Sequence, residues 1–275
     1  MSTTSDPRPA RRRRDDDPFR LGWRFVKVRR PDGTTELEQV PLTLEDVLHP
    51  EEGDFHVLTD GHISDCLYLR NVFQARLAND PSAVVLTDCR VAWDVPGLRP
   101  LGPDVAVFFN VGRHIDWGTF DVAQEGAEPV LVVEVTSPDT RANDVGVKVD
   151  YYFRAGVPLY LIADARKVRG GKRRLELIGY RAGRDRYRTW KPDRHGRLPV
   201  EPLGLSISVV PEPDIGARLA CFDGATGQEI GNYVELYRAL DEATARAEAE
   251  AESRRALERR LEEMQDELRR LRGEP

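Results

Sequence analysis

The stretch PVLVVEVTSPDT, residues 129 to 140, decides the fold and contains one residue that does not suit it. Its apolar run, broken only by Glu134, closes at Ser137 and Pro138, which predicts a short buried strand over residues 130–136. A carboxylate inside a buried strand loses its hydration, and that loss is costly unless a partner compensates it. We therefore expect either that Glu134 meets solvent at the strand end or that a cation lies beside it.

The neighbouring segments supply candidates for that cation and for a second carboxylate. Asp104 follows a Gly-Pro pair and opens another predicted strand. A helix is predicted from Asp144 to Ala155, with Asn143 as its N-cap and Gly156 just past its end.

Three polar residues of this helix share one face, because Asp144, Lys148 and Tyr152 are spaced by four residues. Two carboxylates at strand ends and a nearby lysine suit a hard cation such as Mg²⁺ and the hydrolysis of a phosphodiester. Each residue also has a plainer interpretation. Asp104 is typical of a loop-to-strand junction, Lys148 of a solvated helix face and Tyr152 of a packed aromatic.

The remaining patterns predict an α/β fold with a mixed central sheet flanked by helices. A turn at Pro31 to Thr34 separates two strand-like segments, and a capping-box pattern begins at Thr43. Ile63, Leu67, Tyr68, Phe73 and Leu77 have spacings that favour one face of a long helix over residues 62–79. Further short strands are predicted at 83–86, 90–93, 104–109 and 159–163.

Composition limits the classes of protein. The chain has 275 residues with 40% hydrophobic content, and its N-terminus lacks an apolar signal core, so we expect a soluble cytoplasmic protein. The three cysteines, Cys66, Cys89 and Cys221, are too far apart for a zinc-type pair and fit a reducing compartment. Residues 1–20 lack an apolar period and predict a disordered arm.

A basic segment stands out against the net charge of −6. Residues 166–197 contain thirteen Lys or Arg against three acids, and aromatic residues are interleaved with them. The segment is interpreted either as a solvated hairpin with a basic outer face or as a surface that contacts DNA phosphates. The candidate contacts are Arg173, Arg174, Arg184, Arg186, Arg188 and Lys191.

The segment from residue 232 to 275 predicts a long helix. Leu257, Leu261, Met264, Leu268 and Leu271 recur at steps of four and three, which is a heptad seam. The seam weakens at Glu250 and Arg254. It predicts either a solitary amphipathic helix folded back on the body or a coiled coil that makes a homodimer, in which two sites could cut one duplex.

These motifs, taken in order, resemble the Uma2 family of restriction-endonuclease-like proteins within the PD-(D/E)xK nuclease superfamily. The resemblance covers roughly residues 40–210 and rests on GPDV at 102–105, VEVTSP at 133–138 and AGVPLY at 155–160, together with Asp144, Lys148 and Tyr152. It implies a nuclease domain over residues 21–231.

The resemblance also implies roles for individual residues. Asp104 resembles the aspartate of the PD element and Glu134 the second acid, so both would bind Mg²⁺ or Mn²⁺. Position 136 is Thr136, which implies that Lys148 takes the role of the lysine from the next helix, with Tyr152 beside it.

The accessory positions are less regular. Many superfamily members carry an acid on the first helix, where this chain offers Asp65 and no glutamate. His62 resembles a histidine at that helix start, or it is a capping residue. Asp88 is a further acid near the site or a turn residue, and Asp144 is a fourth accessory position.

Two functions from different classes follow. One is a metal-dependent DNA endonuclease. The other is a weak or inactive nuclease fold that binds nucleic acid or partner proteins through the basic segment and the C-terminal helix. The aspartate, glutamate and lysine favour the first function, whereas the missing first-helix glutamate favours the second.

Overall fold

The computed structural model describes residues 17–168 and 170–272. The predicted arm over residues 1–20 lies almost wholly outside the described residues, apart from 17–20, which enter a turn. The chain divides into two compact units, which meet in sequence between Ile230 and Gly231. Within the described ranges, no helix has the length and apolar character needed to cross a membrane.

The secondary structure alternates short strands with few helices. The strands are β1 (Gly22–Arg29), β2 (Thr35–Pro41), β3 (Phe55–His56), β4 (Val84–Thr87), β5 (Arg90–Ala92), β6 (Val105–Phe108), β7 (Thr119–Asp121), β8 (Pro129–Val135), β9 (Leu159–Lys167), β10 (Arg173–Ala182), β11 (Tyr187–Trp190), β12 (Leu198–Val200), β13 (Leu205–Glu212), β14 (Gly216–Asp223) and β15 (Glu229–Ile230). The helices are α1 (Leu44–Leu48), α2 (Asp60–Arg76), α3 (Val122–Glu125), α4 (Lys148–Arg154) and α5 (Tyr233–Arg272).

The central sheet has six strands in the order β11-β10-β9-β8-β6-β4. Only β8 and β9 run parallel among its paired strands, so the predicted mixed sheet is confirmed. The predicted strand at 90–93 is instead β5, which pairs with β7 in a separate two-stranded sheet. The N-terminal hairpin and the capping box of Thr43 with Asp46 form as predicted.

Both faces of the central sheet are covered, which explains why its strands read as continuous apolar runs. On one face lies a core shared with α2 and with the sheet β12-β13-β14-β15. On the other face lies a core shared with α4 and with β5 and β7. Alternate residues of β8 therefore face different cores, and Glu134 shares its face with Val132.

The predicted apolar face of the first helix is wrong at Ile63 and Leu67, whereas Phe73 is buried as predicted and Tyr68 and Leu77 pack against the same core. Ile63 and Leu67 are 44% and 46% exposed, whereas the buried face carries His62, Asp65 and Cys66 before Leu69, Val72 and Phe73. The first turn of α2 buries polar groups because their partners come from other elements. A pattern based on apolar residues alone therefore placed the face incorrectly.

The helix after β8 also begins differently from the prediction. Asn143 is not an N-cap, because it already lies in a π-helical turn, Asn143–Val147, that precedes α4. The hydroxyl of Ser137 instead accepts a hydrogen bond from the Thr140 backbone N–H, 3.3 Å away. Gly156 follows α4 with a φ of 78°, as expected for a residue just past a helix end. A π-helical turn such as Asn143–Val147 often occurs at a functional site.

Candidate active site

Asp104 and Glu134 lie on neighbouring strands of the central sheet. Val105 of β6 pairs with Val133 of β8, so the same antiparallel register sets Asp104 opposite Glu134 on one face. The Val135 backbone N–H donates to Asp104 Oδ2 at 2.6 Å, which ties the aspartate to the end of β8. The two acids therefore do not point to opposite sides of the sheet.

Glu134 is 1% exposed, and its cation is Lys148. Lys148 Nζ lies 2.9 Å from Glu134 Oε1, and the Tyr152 hydroxyl donates to the same oxygen at 2.5 Å. Burial raises the pKa of Glu134, Lys148 opposes that shift, and Asp104 adds to it, which leaves the pKa at about 8. Of the two alternatives for Glu134, a buried carboxylate beside a cation is the one observed.

Lys148 serves two carboxylates. Its Nζ also lies 2.9 Å from Asp144 Oδ1, and the side chains of Lys148 and Asp144 are 9% and 4% exposed. Burial alone would lower the pKa of Lys148, but Asp144 and Glu134 reverse the effect and hold it above its usual range. The lysine therefore stays charged, and the cluster keeps more carboxylates than this one cation can neutralise.

His62 forms the second polar pair of the site. Its Nε2 lies 3.3 Å from Asp104 Oδ1. Burial alone would lower the pKa of His62, but Asp104 raises it to about 9. Burial likewise works to raise the pKa of Asp104, and His62 reverses that shift to a net lowering. It is the backbone N–H of His62, not its ring, that joins the helix cap by donating to Thr59 Oγ1.

A cavity of about 60 Å³ connects these groups. His62, Asp104, Glu134, Asp144 and Lys148 line it together. The cavity is large enough for a cation with one or two waters. It gives the polar side chains a common space that solvent can enter.

Asp88 lines the same cavity. It has a φ of 51°, and its backbone N–H donates to the Asp104 carbonyl at 3.2 Å. The residue is therefore a turn residue that also brings a further carboxyl group to the cavity mouth.

Two sets of side chains offer donor atoms for a metal ion. Ligand atoms of His62, Cys66 and Asp104 lie within 4.8 Å of one another. The Cys66 thiol is a soft donor that does not suit Mg²⁺, and burial raises its pKa far above the usual range. The oxygen donors of Asp104 and Glu134 suit Mg²⁺ or Mn²⁺ instead.

Asp65 is not part of this cluster. Arg173 Nη1 and Nη2 donate to its two carboxylate oxygens at 2.8 and 3.0 Å. Arg173 also donates to the Gly61 carbonyl, and a Cβ at position 61 would lie 2.8 Å from its guanidinium. The predicted accessory acid and one predicted DNA contact therefore bind each other and tie α2 to β10.

The other predicted DNA contacts are exposed. Arg174 is on β10, Arg188 is on β11, Arg184 and Arg186 lie between these strands, and Lys191 follows β11. Within 166–197, β10 and β11 form the predicted antiparallel hairpin, and β9 pairs with the other edge of β10, so these three strands make a meander.

The aromatic residues of the basic segment pack inward and are poorly placed for stacking on bases. Trp190 is buried, and Tyr180 and Tyr187 contact Tyr160 of β9. Arg181 lies over the Trp190 ring at 4.6 Å. The aromatics therefore anchor the meander and leave its charged side chains outside.

A further buried acid, Asp164, was not predicted from the sequence. Asp164 of β9 receives two hydrogen bonds from Arg141, at 2.7 and 2.9 Å, and two from Arg166, at 3.0 and 2.6 Å. The Thr136 hydroxyl lies 3.3 Å from it. The signal was present, because Asp164 interrupts the apolar run LYLIADA as Glu134 interrupts its own.

Similarity to known proteins identifies the family of this chain. The sequence profile of the Uma2 family, described as "Putative restriction endonuclease", matches residues 30–209. No curated protein matches the chain. Among solved structures, the chain is similar to one described as a "putative nuclease belonging to DUF820" from Anabaena variabilis, with 16% identity and a TM-score of 0.38. That match covers 64% of this chain and 92% of the other. Because the family profile spans well over half of the sequence, the chain belongs to the Uma2 family.

Proposed function

We propose that the chain is a metal-dependent DNA endonuclease whose site comprises Asp104, Glu134 and Lys148. The observation that carries the proposal is the buried Glu134, which shares one cavity with Asp104 and lies 2.9 Å from a charged lysine. Membership of the Uma2 family supports the same chemistry.

Each residue has a role that follows from its contacts. Asp104 and Glu134 would bind Mg²⁺ or Mn²⁺, and such an ion supplies positive charge for a phosphate oxygen and for an attacking water. Tyr152 holds Glu134 by its hydroxyl, and His62 holds Asp104. Lys148 carries the fixed positive charge that can orient the water or neutralise a phosphate oxygen.

The exposed arginines of the meander are proposed to contact the DNA backbone, with Arg173 excluded because Asp65 holds it. We also propose a homodimer that forms through α5 or the nuclease body. The free, buried cysteines fit a cytoplasmic setting.

A plasmid-nicking assay tests the proposal. We expect nicked circles from supercoiled plasmid with Mg²⁺ or Mn²⁺ and none with EDTA. A folded chain that binds the plasmid but does not nick it with either metal would contradict the endonuclease.

One observation favours the second candidate, a nuclease fold that only binds nucleic acid or partners. Asp65, the acid available on the buried face of α2, is committed to Arg173 and contributes nothing to the cavity. Binding without cleavage in the same assay supports this candidate.

A further inference from the structure

Helix α5 exposes an apolar stripe that is interrupted by Glu250 and Arg254. It runs for 40 residues, and none of its described side chains is buried. The stripe residues are 49 to 78% exposed, namely Tyr233, Leu236, Leu240, Leu257, Leu261, Met264, Leu268 and Leu271. A stripe of this length marks an interaction surface.

The heptad register assigns every seam position. With Leu257 at d, the a positions are Tyr233, Leu240, Ala247, Arg254, Leu261 and Leu268. The d positions are Leu236, Ala243, Glu250, Leu257, Met264 and Leu271. Large side chains thus occupy both ends of the seam, with small and charged ones in the middle.

A parallel, in-register pair of α5 helices would pack poorly along this seam. Each a or d residue then meets its own copy, so Arg254 faces Arg254 and Glu250 faces Glu250. The layers at Ala243 and Ala247 would contain only methyl groups. The centre of a parallel pair would therefore contain two layers of like charge next to two poorly filled alanine layers.

An antiparallel pair centred on residue 252 removes both the like-charge contacts and the methyl-only layers. Glu250 then meets the partner's Arg254, Ala247 meets the partner's Leu257, and Ala243 meets the partner's Leu261. The outer layers combine Leu240 with the partner's Met264, Leu236 with the partner's Leu268 and Tyr233 with the partner's Leu271. Every apolar layer receives a leucine, and both charged layers join opposite charges.

The charges outside the seam point the same way. Residues 233–253 contain six acids and two arginines, whereas residues 254–272 contain seven arginines and five acids. An antiparallel pair sets the acidic half of one helix beside the basic half of the other. A parallel pair would gain Glu267 beside the partner's Arg272, but such exposed pairs are screened by water and contribute less.

We propose that α5 forms an antiparallel two-stranded coiled coil with α5 of a second copy of this chain, centred on Glu252. The inference concerns assembly and stands whether or not the chain cleaves DNA.

Spin-label distances in the full chain test the orientation. Arg238→Cys, Glu252→Cys and Asp266→Cys each place one label at the outward-facing f position of its heptad. In the antiparallel dimer, position 238 of one helix lies opposite position 266 of the other. Two labels at the same position, either 238 or 266, are therefore separated by 28 residues along the coiled coil. Their label-to-label distances should be about 40 to 50 Å at both positions. Labels at 252 should give a short distance, set by the width of the coiled coil.

The unmutated chain is the labelling control, because Cys66, Cys89 and Cys221 are all buried. Dilution with unlabelled chain should remove the dipolar signal, as expected for an intermolecular distance. Short distances at all three positions would show a parallel pair, and long distances at all three would show another interface. Either pattern, or a monomer in sedimentation at tens of micromolar, overturns the proposal.

Discussion

Glu134 and Asp164 lie on adjacent parallel strands, and both are buried acids inside apolar runs. Glu134 shares one lysine with Asp144 and faces a cavity, and its pKa is raised to about 8. Asp164 has two arginines and no share in that cavity, and hydrogen bonds from Arg141 and Arg166 lower its pKa to about 2. The sequence pattern is the same, but the environments act in opposite directions.

The difference shows how the ratio of cations to carboxylates separates a fully compensated acid from one that shares its cation with other acids. Asp164 is fully compensated, so its charge is stable without any added ion. Glu134 lies among Asp104 and Asp144, and these three carboxyl groups share two cations, Lys148 and His62. Such a site gains most from an additional cation, which is the property that a metal-binding carboxylate needs.

The largest effect is expected from removing the charge of Glu134. Glu134→Gln changes almost no volume but removes a proposed metal ligand, so cleavage should fall by about 10³-fold. The free energy of unfolding should stay the same or rise slightly, because repulsion from Asp104 is relieved. Nicking rates and urea unfolding measure the two quantities.

Asp164→Asn is the matched control for that variant. It should retain cleavage but lose about 2 kcal/mol of stability, since two guanidinium groups lose a charged acceptor. Equal losses of cleavage in both variants would show that the two acids do not differ in role.

The two cation sets should differ in stability. Lys148→Met leaves Glu134 and Asp144 buried without their shared cation, and we expect a loss of about 3 kcal/mol. Arg166→Met leaves Asp164 with Arg141, so the loss should stay below about 1 kcal/mol. Chemical unfolding of both variants decides the point, and a larger loss for Arg166→Met would reverse the comparison.

The exposed arginines of the meander, which do not hold a buried acid, are expected to bind DNA phosphates. Reversing Arg186 and Arg188 to glutamate should make the slope of log K against log salt shallower by about 0.9 for each lost phosphate contact. Lys27→Glu with Arg29→Glu is the control of equal charge change on the exposed β1 hairpin. An unchanged slope, or the same change in the control, would exclude the meander as the DNA surface.

The smallest effect is expected on the free energy of unfolding at acidic pH. Because the pKa of Asp164 is lowered from 3.8 to about 2, its contribution is present above pH 4 and is lost as pH falls towards 2. The contribution is about 1 kcal/mol after allowance for the partly exposed arginines. Unfolding measured between pH 5 and 2 should show a steeper loss for the unmutated chain than for Asp164→Asn. If the free energy of unfolding fell equally with pH in both proteins, this prediction would be wrong.

Much of this architecture could be predicted from local patterns. The runs that become β6, β8 and β9 are apolar because both sheet faces are covered, and the N-terminal hairpin follows from its turn residues. The pairing of Glu134 with Lys148 could be anticipated because a buried acid needs a cation.

The rest depended on contacts between distant residues. Asp65 binds Arg173 across more than a hundred residues, and nothing local to α2 indicates that partner. The π-helical turn before α4 displaced the predicted cap at Asn143, because the turn changes which residue starts the helix.

The length of α5 sets the reach of the proposed dimer. In an antiparallel coiled coil, the two copies of Tyr233, where each helix leaves its own nuclease unit, lie about 57 Å apart at 1.5 Å per residue. Once one copy holds DNA, the attachment point of the other is confined to a volume that corresponds to an effective concentration of about 2 mM.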